Sequence, residues 1–208
     1  MALPTQLQHW IHSAKVQRVT VFACMLLYAV SPVPEFWITQ LNYIALYSLV
    51  VLGLVLLTGI GGLTSFGQAA FVGIGAYTSA YMTVNMGWSP WLTVFVGLAI
   101  TIVSALIVGW VTLSMSGHYL PLATIAWSLS LYYLFGALEF LGKYNGISGI
   151  PPLTLFGFDL SNPRVMYGLI WFCLGGCVWL VLNLLNSRPG RAIHALAKGK
   201  TMPEAMGI

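Results

Sequence analysis

Long apolar runs separated by short polar breaks make up most of the chain. A helix that crosses a bilayer needs about 20 predominantly apolar residues, and six runs approach that length. The runs are continuously apolar, whereas the strands of a membrane β-barrel alternate in polarity. The pattern therefore predicts a polytopic bundle of about six transmembrane helices, at Val19–Ile38, Asn42–Leu63, Gly67–Met86, Pro90–Leu113, Tyr119–Leu138 and Val165–Leu185.

The distribution of charge supports a membrane location. No Asp, Glu, Lys or Arg occurs between Phe36 and Leu138, and the whole chain is 59% hydrophobic and only 6% charged. A charge at the bilayer centre costs about 2.5–3.5 kcal/mol even on the mildest scale. A stretch of this length without charge is therefore expected of a chain whose solvent is lipid. The fold class predicted is an all-α integral membrane protein.

The basic residues predict the orientation of the bundle. Six of the eight precede the first predicted span or follow the sixth, so the net charge of +4 is a topology signal and does not indicate nucleic-acid binding. Positively charged flanks stay on the cytoplasmic side. Both termini are therefore predicted to be cytoplasmic and the Glu139–Arg164 loop external. The six residues are Lys15, Arg18, Arg188, Arg191, Lys198 and Lys200.

The first predicted span has an alternative interpretation as a signal peptide. Val19–Val30 is a short apolar run after basic residues, and Ala29-Val30-Ser31 resembles a cleavage site for small residues. The run continues through Ile38, and no water-soluble segment follows it. An uncleaved first helix, bent near Pro32 and Pro34, is the favoured interpretation.

A glycine-rich stretch, Gly59–Gly75, interrupts the apolar pattern with six glycines. Glycine destabilises a helix interior by about 1 kcal/mol relative to alanine, so the stretch predicts a broken helix, a close helix contact, or both. Small residues four apart favour close contact; the pairs are Ala69 with Gly73, Gly75 with Ser79, and Ala76 with Ala80. The functional alternative is a polar translocation path, with candidates Thr64, Ser65, Gly67, Gln68 and Gly73.

No motif indicates catalysis, a metal site or a cofactor. Cys24, Cys173 and Cys177 lie in apolar runs and are interpreted as packing residues. Gly199-Lys200-Thr201 resembles the end of a phosphate-binding loop, but His194 stands where that motif requires a glycine. The chain is therefore predicted to be neither an enzyme nor a nucleotide-binding protein. A membrane-embedded enzyme or an ion-coupled carrier would need titratable groups at depth, of which the spans offer almost none.

The segment after the sixth span predicts a cytoplasmic docking element. Pro189 and Gly190 are expected to break the sixth helix, and Ala192–Ala197 to form a short helix with an apolar side. Glu204–Gly207 predicts another helical turn. We therefore divide the chain into a transmembrane domain, residues 1–187, and a cytoplasmic coupling segment, residues 188–208. The alternative is a solvated tail.

Three stretches, Leu57–Tyr81, Ser116–Ile150 and Arg188–Ile208, resemble the permease subunits of branched-chain amino acid ABC importers. Urea permeases share the glycine-rich region and the tail, and remain an alternative. The resemblance implies a bacterial inner-membrane protein that works with a second permease subunit, two cytoplasmic ATPase subunits and a periplasmic substrate-binding protein. It also implies that the ATPases are contacted through Arg188, Gly190, Arg191, Ala192, Glu204, Ala205 and Gly207; Pro203 departs from the family pattern.

The resemblance also implies further helices. Members of this family continue beyond the coupling loop, whereas this sequence stops at Ile208. We therefore expect a gene fragment, a frameshifted copy, or one half of a split permease. A truncated membrane subunit that does not transport is the corresponding functional alternative.

Overall fold

The computed structural model describes residues 34–113, 119–155 and 158–197. Of the α-helices given at the end of this paragraph, the first is extended by a π-helical segment, Val55–Ile60. The fourth is followed by two 3₁₀ turns, Glu139–Leu141 and Lys143–Asn145. Strands β1 (Thr154–Leu155) and β2 (Phe158–Asp159) form a two-residue antiparallel ladder. The α-helices in these ranges are α1 (Glu35–Leu54), α2 (Gln68–Asn85), α3 (Pro90–Leu113), α4 (Tyr119–Ala137), α5 (Pro163–Asn186) and α6 (Arg188–Ala197).

The protein is a multi-pass membrane protein. In the described part of the chain, four helical segments are long and apolar enough to cross a bilayer: Glu35–Ile60, Pro90–Thr112, Tyr119–Ala137 and Pro163–Asn186. Large apolar side chains on them face outward; Trp110 is 85% exposed and Phe172 74% exposed. Apolar exposure on this scale is stable against lipid or another apolar surface, not against water.

The predicted helix positions agree with the structure from Gly67 onward. α3 has the predicted bounds, and α2, α4 and α5 begin and end within a few residues of theirs. α2 is helical but is not among the four strongly apolar segments. Most of the predicted first span lies outside the described residues, so the number of six spans stays a prediction.

The predicted boundary between the first two spans is wrong. We expected one span to end at Ile38 and the next to begin at Asn42, but α1 runs without interruption from Glu35 to Leu54. The polar residues that suggested a break are accommodated within the helix. The Thr39 hydroxyl donates to the Glu35 carbonyl oxygen (3.0 Å), and Asn42 Nδ2 donates to the Pro163 carbonyl oxygen (3.1 Å).

Two compact units share the chain, and the first comprises residues up to Leu49 together with Leu160–Val181. Its described part is a helix pair formed by the first turns of α1 and most of α5. The core contains Ile38 and Ala45 from α1 and Tyr167, Trp171 and Leu174 from α5. The rings of Tyr167 and Trp171 lie 5.6 Å apart between centroids. Apolar packing and the Asn42 hydrogen bond thus hold this pair together.

The second unit comprises Val50–Asp159 together with Leu182–Ile208. Its main contact is the antiparallel pair α2 and α3, which approach each other closely where both carry glycine. A Cβ built on Gly97 lies 2.6 Å from Ser79 Oγ and 3.1 Å from the Gly75 carbonyl oxygen. A Cβ on Gly75 lies 3.2 Å from Thr101 Oγ1. We call this contact the α2–α3 seam.

Hydroxyl groups complete the seam towards the Met86–Ser89 connection. Ser79 Oγ donates to the Thr93 carbonyl oxygen (3.3 Å), and the hydroxyls of Thr83 and Thr93 lie 3.0 Å apart. Both threonines are buried. Lipid is as apolar as the helix surfaces and therefore provides little hydrophobic driving force for helix association. Hydrogen bonds between helices contribute to association in its place. The predicted pair Gly75 and Ser79 therefore lies at a close helix contact.

Aromatic packing and one ion pair fix the chain after α4. The ring of Tyr144 packs directly on Gly136, and Tyr81 on α2 meets Phe140 edge to face at 5.5 Å. Lys143 Nζ lies 2.6 Å from Glu139 Oε1 in an exposed pair. Trp91 Nε1 donates to the Thr154 carbonyl oxygen (2.7 Å). The segment that we predicted to be an external loop is therefore ordered against the ends of α2, α3 and α4.

The tail helix begins earlier than predicted. α5 ends at Asn186, and α6 starts at Arg188, so Pro189 and Gly190 lie inside its first turn. Proline is tolerated there because the first N–H groups of a helix lack a partner within the helix. The Gly190 N–H donates to Ser187 Oγ (3.4 Å), which caps the new helix. The break therefore lies at Ser187, and Glu204, Ala205 and Gly207 lie outside the described residues.

Candidate functional site around the glycine-rich segment

The glycine-rich stretch begins where α1 changes its hydrogen-bond pattern. The Gly61 N–H donates to the Leu56 carbonyl oxygen five residues back (2.9 Å), and the Leu63 N–H to the Leu57 oxygen (3.1 Å). A Cβ on Gly61 would lie 2.7 Å from the Leu57 oxygen, and Gly62 has φ of +67°. The close contact favours glycine at position 61, and the left-handed φ favours it at position 62. Residues 62–67, which we call the irregular segment, then run without regular structure to α2.

Two hydroxyl groups of α4 hold the irregular segment in place. The Phe66 N–H donates to Thr124 Oγ1 (3.1 Å), and the Phe66 carbonyl oxygen accepts from Ser128 Oγ (3.1 Å). A backbone N–H or C=O group that has no helical hydrogen bond inside the membrane needs another hydrogen-bond partner. Sequence reasoning missed Thr124 and Ser128. The signal available was their spacing, since hydroxyls four apart lie on one face of a helix.

A cavity of about 240 Å³ lies beside the irregular segment, inside the second unit. The π-helical segment, the irregular segment, α2, α3 and α4 all contribute to its wall. No charged side chain lines it. The lining residues are Leu57, Leu63, Ser65, Gly67, Phe71, Ala105, Val108, Gly109, Thr112, Leu120, Thr124 and Trp127.

The hydroxyl groups of the cavity wall are engaged with the backbone. Thr112 Oγ1 donates to the Val108 carbonyl oxygen (2.7 Å), and Thr124 Oγ1 donates to the Pro121 oxygen (2.9 Å). Ser65 Oγ accepts from the Gly67 N–H (3.3 Å). Each threonine hydroxyl has a single hydrogen, which these bonds use. The cavity therefore offers mainly hydrocarbon and ring surface, which suits an uncharged aliphatic group better than an ion.

The predicted path residues are only partly brought together. Ser65 and Gly67 are buried and line the cavity. Thr64 is exposed, and Gln68 is half-buried at the start of α2. Gly73 lies further along α2, where a Cβ would come 2.9 Å from the Phe135 ring. Gly73 thus leaves room for an aromatic side chain, and the close backbone contact that we expected with Ala69 occurs instead at the α2–α3 seam.

The described part of the coupling segment packs on the same region. α6 contacts the π-helical segment Val55–Ile60, whose Leu57 lines the cavity. Gly190 is buried against the carbonyl oxygens of Leu184 and Leu185, where a Cβ would overlap them. Arg191 Nη1 donates to the Asn186 carbonyl oxygen (3.3 Å). Arg188 is exposed and Ala192 half-buried. The bend therefore requires glycine, and a cation stabilises the end of α5.

Comparisons with known proteins agree with the resemblance noted in the sequence. Residues 37–208 match the branched-chain amino acid transport system permease component family. High-affinity branched-chain amino acid transport system permease proteins LivM of Salmonella typhimurium and Escherichia coli are each 32% identical to this chain over 118 residues. The match covers 56% of this chain and 28% of either relative. No solved structure matches the chain.

Proposed function

The chain belongs to the branched-chain amino acid transport system permease family, and from this premise we propose that it is the membrane-spanning permease subunit of an ATP-driven importer of branched-chain amino acids. A transport subunit, not an enzyme, is what the family and the apolar helices support. In the proposal the irregular segment and the adjacent cavity form part of the translocation path. Ser65 and Gly67 contribute directly, whereas Thr64, Gln68 and Gly73 act from neighbouring positions.

The apolar cavity is the observation that favours branched-chain amino acids over urea. Urea is a polar solute that needs several hydrogen-bond partners, whereas the cavity wall is mainly hydrocarbon and both of its threonine hydroxyl hydrogens are already engaged. A polar group moved into such a site loses hydrogen bonds with water and gains few in return. A branched aliphatic side chain loses nothing comparable and leaves water favourably.

The partners follow from the same proposal. A second permease subunit completes the membrane part, and two cytoplasmic ATPase subunits supply the energy. A periplasmic binding protein delivers the substrate to the face that bears the ordered Glu139–Asn145 turns. In this arrangement the protein lies in the bacterial inner membrane with both termini in the cytoplasm.

Energy coupling is proposed to pass through α6. Because α6 packs on the π-helical segment, and Leu57 of that segment lines the cavity, a displacement of α6 would reach the cavity within one compact unit. π-helical turns are rare and occur frequently at functional sites. The coupling residues in this proposal are Arg188, Gly190, Arg191, Ala192, Glu204, Ala205 and Gly207.

Uptake measurements test the proposed substrate. The chain is reconstituted in proteoliposomes with the second permease subunit, ATPases, binding protein and any separately encoded helices that complete it. We expect ATP-dependent accumulation of leucine, isoleucine and valine and none of urea. Accumulation of urea alone would support the urea alternative. Stable assembly without uptake of any solute would support the non-transporting alternative.

Substitutions in α6 test the coupling. Gly190→Val should move α6 away from the end of α5, because its side chain would overlap two carbonyl oxygens. We expect substrate-stimulated ATP hydrolysis to fall while membrane insertion persists. Ala205→Trp tests the proposed second contact in the same assay. Gly176→Val is a suitable control, since a Cβ there meets no atom within 4 Å. Full stimulation in both variants would exclude the segment as the coupling element.

A further inference from the structure

Phe66 is held in the irregular segment through its backbone and not through its ring. The ring is 57% exposed, so packing contributes little to its position. Its N–H donates to Thr124 Oγ1, and its carbonyl oxygen accepts from Ser128 Oγ, each over 3.1 Å. In the described part of the chain, none of the other α-helices makes a side-chain hydrogen bond to the backbone of residues 62–67. α4 therefore supplies both of the bonds that fix this residue.

The Thr124 hydroxyl is oriented to accept from Phe66. Its single hydrogen is donated to the Pro121 carbonyl oxygen of α4 (2.9 Å), which leaves its oxygen as the acceptor. Thr124 is only 5% exposed, and a Cβ on Gly67 would lie 3.7 Å from Thr124 Cβ. A backbone N–H that loses its acceptor in such surroundings costs more than the hydrogen bond itself contributes. The pair of hydroxyls therefore fixes the backbone of Phe66 relative to α4.

The residues on either side of Phe66 line the cavity. Ser65 and Gly67 both contribute to its wall, and the Gly67 N–H donates to Ser65 Oγ (3.3 Å). Because each peptide group is planar and stiff, a shift of the Phe66 backbone moves both neighbours.

We infer that Thr124 and Ser128 are positioning residues of the transport cycle: through the backbone of Phe66 they hold Ser65 and Gly67 in place along the translocation path. The inference rests on the proposed function and deepens it, because it names the residues that fix the proposed path. In this role neither hydroxyl needs to touch the transported solute.

Hydrogen exchange tests whether the two hydroxyls hold the segment, in the complete transporter reconstituted in lipid nanodiscs. Thr124→Val keeps the shape of the side chain but removes the acceptor, and Ser128→Ala removes the donor. We expect exchange of the Phe66 amide to accelerate by about tenfold in Thr124→Val, as for the loss of one buried hydrogen bond, and by less in Ser128→Ala. Thr124→Ser keeps the hydroxyl and should exchange like the wild type.

The number of leucine molecules accumulated per ATP hydrolysed separates a positioning role from a merely structural one. A variant that only folds less well lowers uptake and ATP hydrolysis together, so this ratio stays constant. A displaced path lets ATP be hydrolysed without transport. We expect the ratio to fall by about two- to tenfold in Thr124→Val, the range for the net loss of one hydrogen bond, and Thr124→Ser to restore it. Ser128→Ala supplies the same comparison if the valine variant does not fold.

Thr101→Val and Ser48→Ala are matched controls. Thr101 Oγ1 donates to the Gly97 carbonyl oxygen of its own helix (2.7 Å), and Ser48 Oγ donates to the Ile44 carbonyl oxygen of its own helix (2.7 Å). Neither residue is among those that line the cavity. Both controls should leave the ratio and the exchange at Phe66 unchanged.

The outcomes separate this inference from the proposed function. Faster exchange at Phe66 together with an unchanged ratio overturns the inference, since the two bonds are then structural only. Unchanged exchange in both variants overturns it as well. In either case, leucine uptake by the wild-type transporter still supports the importer. A complete wild-type transporter that accumulates no amino acid overturns the proposed function, and the assignment of Thr124 and Ser128 falls with it.

Discussion

Gly61 lets the backbone leave a helix, whereas Gly75, at the other end of the same glycine-rich stretch, lets a second helix come close. At Gly61 the atom that a Cβ would meet is the Leu57 carbonyl oxygen of the same segment, at 2.7 Å. At the α2–α3 seam, a Cβ on Gly97 would meet Ser79 and Gly75 of the other helix. Glycine thus avoids a contact within one segment in the first region and a contact between two helices in the second.

Hydroxyl groups differ between these regions in the same way. In the seam, Ser79 Oγ donates to the Thr93 carbonyl oxygen of the other helix. The Thr83 and Thr93 hydroxyls meet there, and each can instead donate to a carbonyl oxygen of its own helix, that of Ser79 or Pro90. Beside the irregular segment, Thr124 and Ser128 bond the Phe66 backbone, which has left its helix. The seam is therefore closely packed, while the irregular segment lies next to a cavity. Regions of low packing density open at the lowest free-energy cost, so we expect local opening in the irregular segment before the seam.

The largest effect is expected where the seam is overfilled. Gly97→Val should destabilise the protein by about 3 kcal/mol, the upper end of the range for overpacked sites, because backbone atoms of α2 cannot move aside. The measurement is the folded fraction in membranes and in denaturant titration. Gly109→Val on the same helix is the control, with open space at its Cβ. Equal stability of the two variants would contradict the tight seam.

A smaller effect is expected at Gly73. Gly73→Leu should destabilise by about 1–2 kcal/mol, because the atom in its way belongs to the Phe135 ring, which can turn, and not to a backbone. The second substitution Phe135→Ala should restore part of the loss in a double-mutant cycle. Strictly additive effects would show that Gly73 does not make room for Phe135.

The irregular segment should respond to backbone strain more than to side-chain size. Gly62→Ala places a Cβ at φ of +67° and should cost about 1 kcal/mol, whereas Gly62→Asn should cost less because asparagine tolerates this conformation. Hydrogen exchange at the Phe66 amide, which should accelerate in the alanine variant, locates the effect. An alanine variant as stable as the asparagine variant would contradict a conformational role for Gly62.

The smallest effect concerns the hydroxyl pair of the seam. Thr83→Val or Thr93→Val alone should cost about 0.6 kcal/mol, the average for hydrogen bonds between membrane helices. The double variant should cost less than the sum, because replacing both partners leaves no unpaired group. Thermal unfolding in nanodiscs provides the cycle, and additive losses would mean that the two hydroxyls do not act as a pair.

Sequence patterns predicted the regular parts of the fold well. The bounds of α3 agree with the prediction, and those of α2, α4 and α5 differ by a few residues. The apolar runs sufficed because length and apolarity decide whether a segment is stable as a helix in lipid. The prediction failed at the break between Ile38 and Asn42, where α1 continues. The Thr39 hydroxyl finds an acceptor within α1, and the Asn42 amide finds one at the start of α5, which no local pattern reveals.

The candidate site was predictable only in its position along the chain. The six glycines of Gly59–Gly75 predicted where the helical pattern breaks. Two of the predicted path residues, Ser65 and Gly67, line a cavity there. The residues that hold Phe66 lie 58 and 62 residues further along the chain. No local pattern connects such residues, because the connection depends on which helices become neighbours.

By itself, the sequence determined that this protein resides in a membrane and where most of its helices lie, because the free energy of transferring each segment into lipid depends only on the residues of that segment. The tertiary structure decided what each glycine and hydroxyl does. Gly75 and Gly97 admit a neighbouring helix, whereas Gly61 and Gly62 act within their own segment. The roles of Gly75 and Gly97 depend on the distance to atoms remote in sequence, and that distance exists only once the helices have packed.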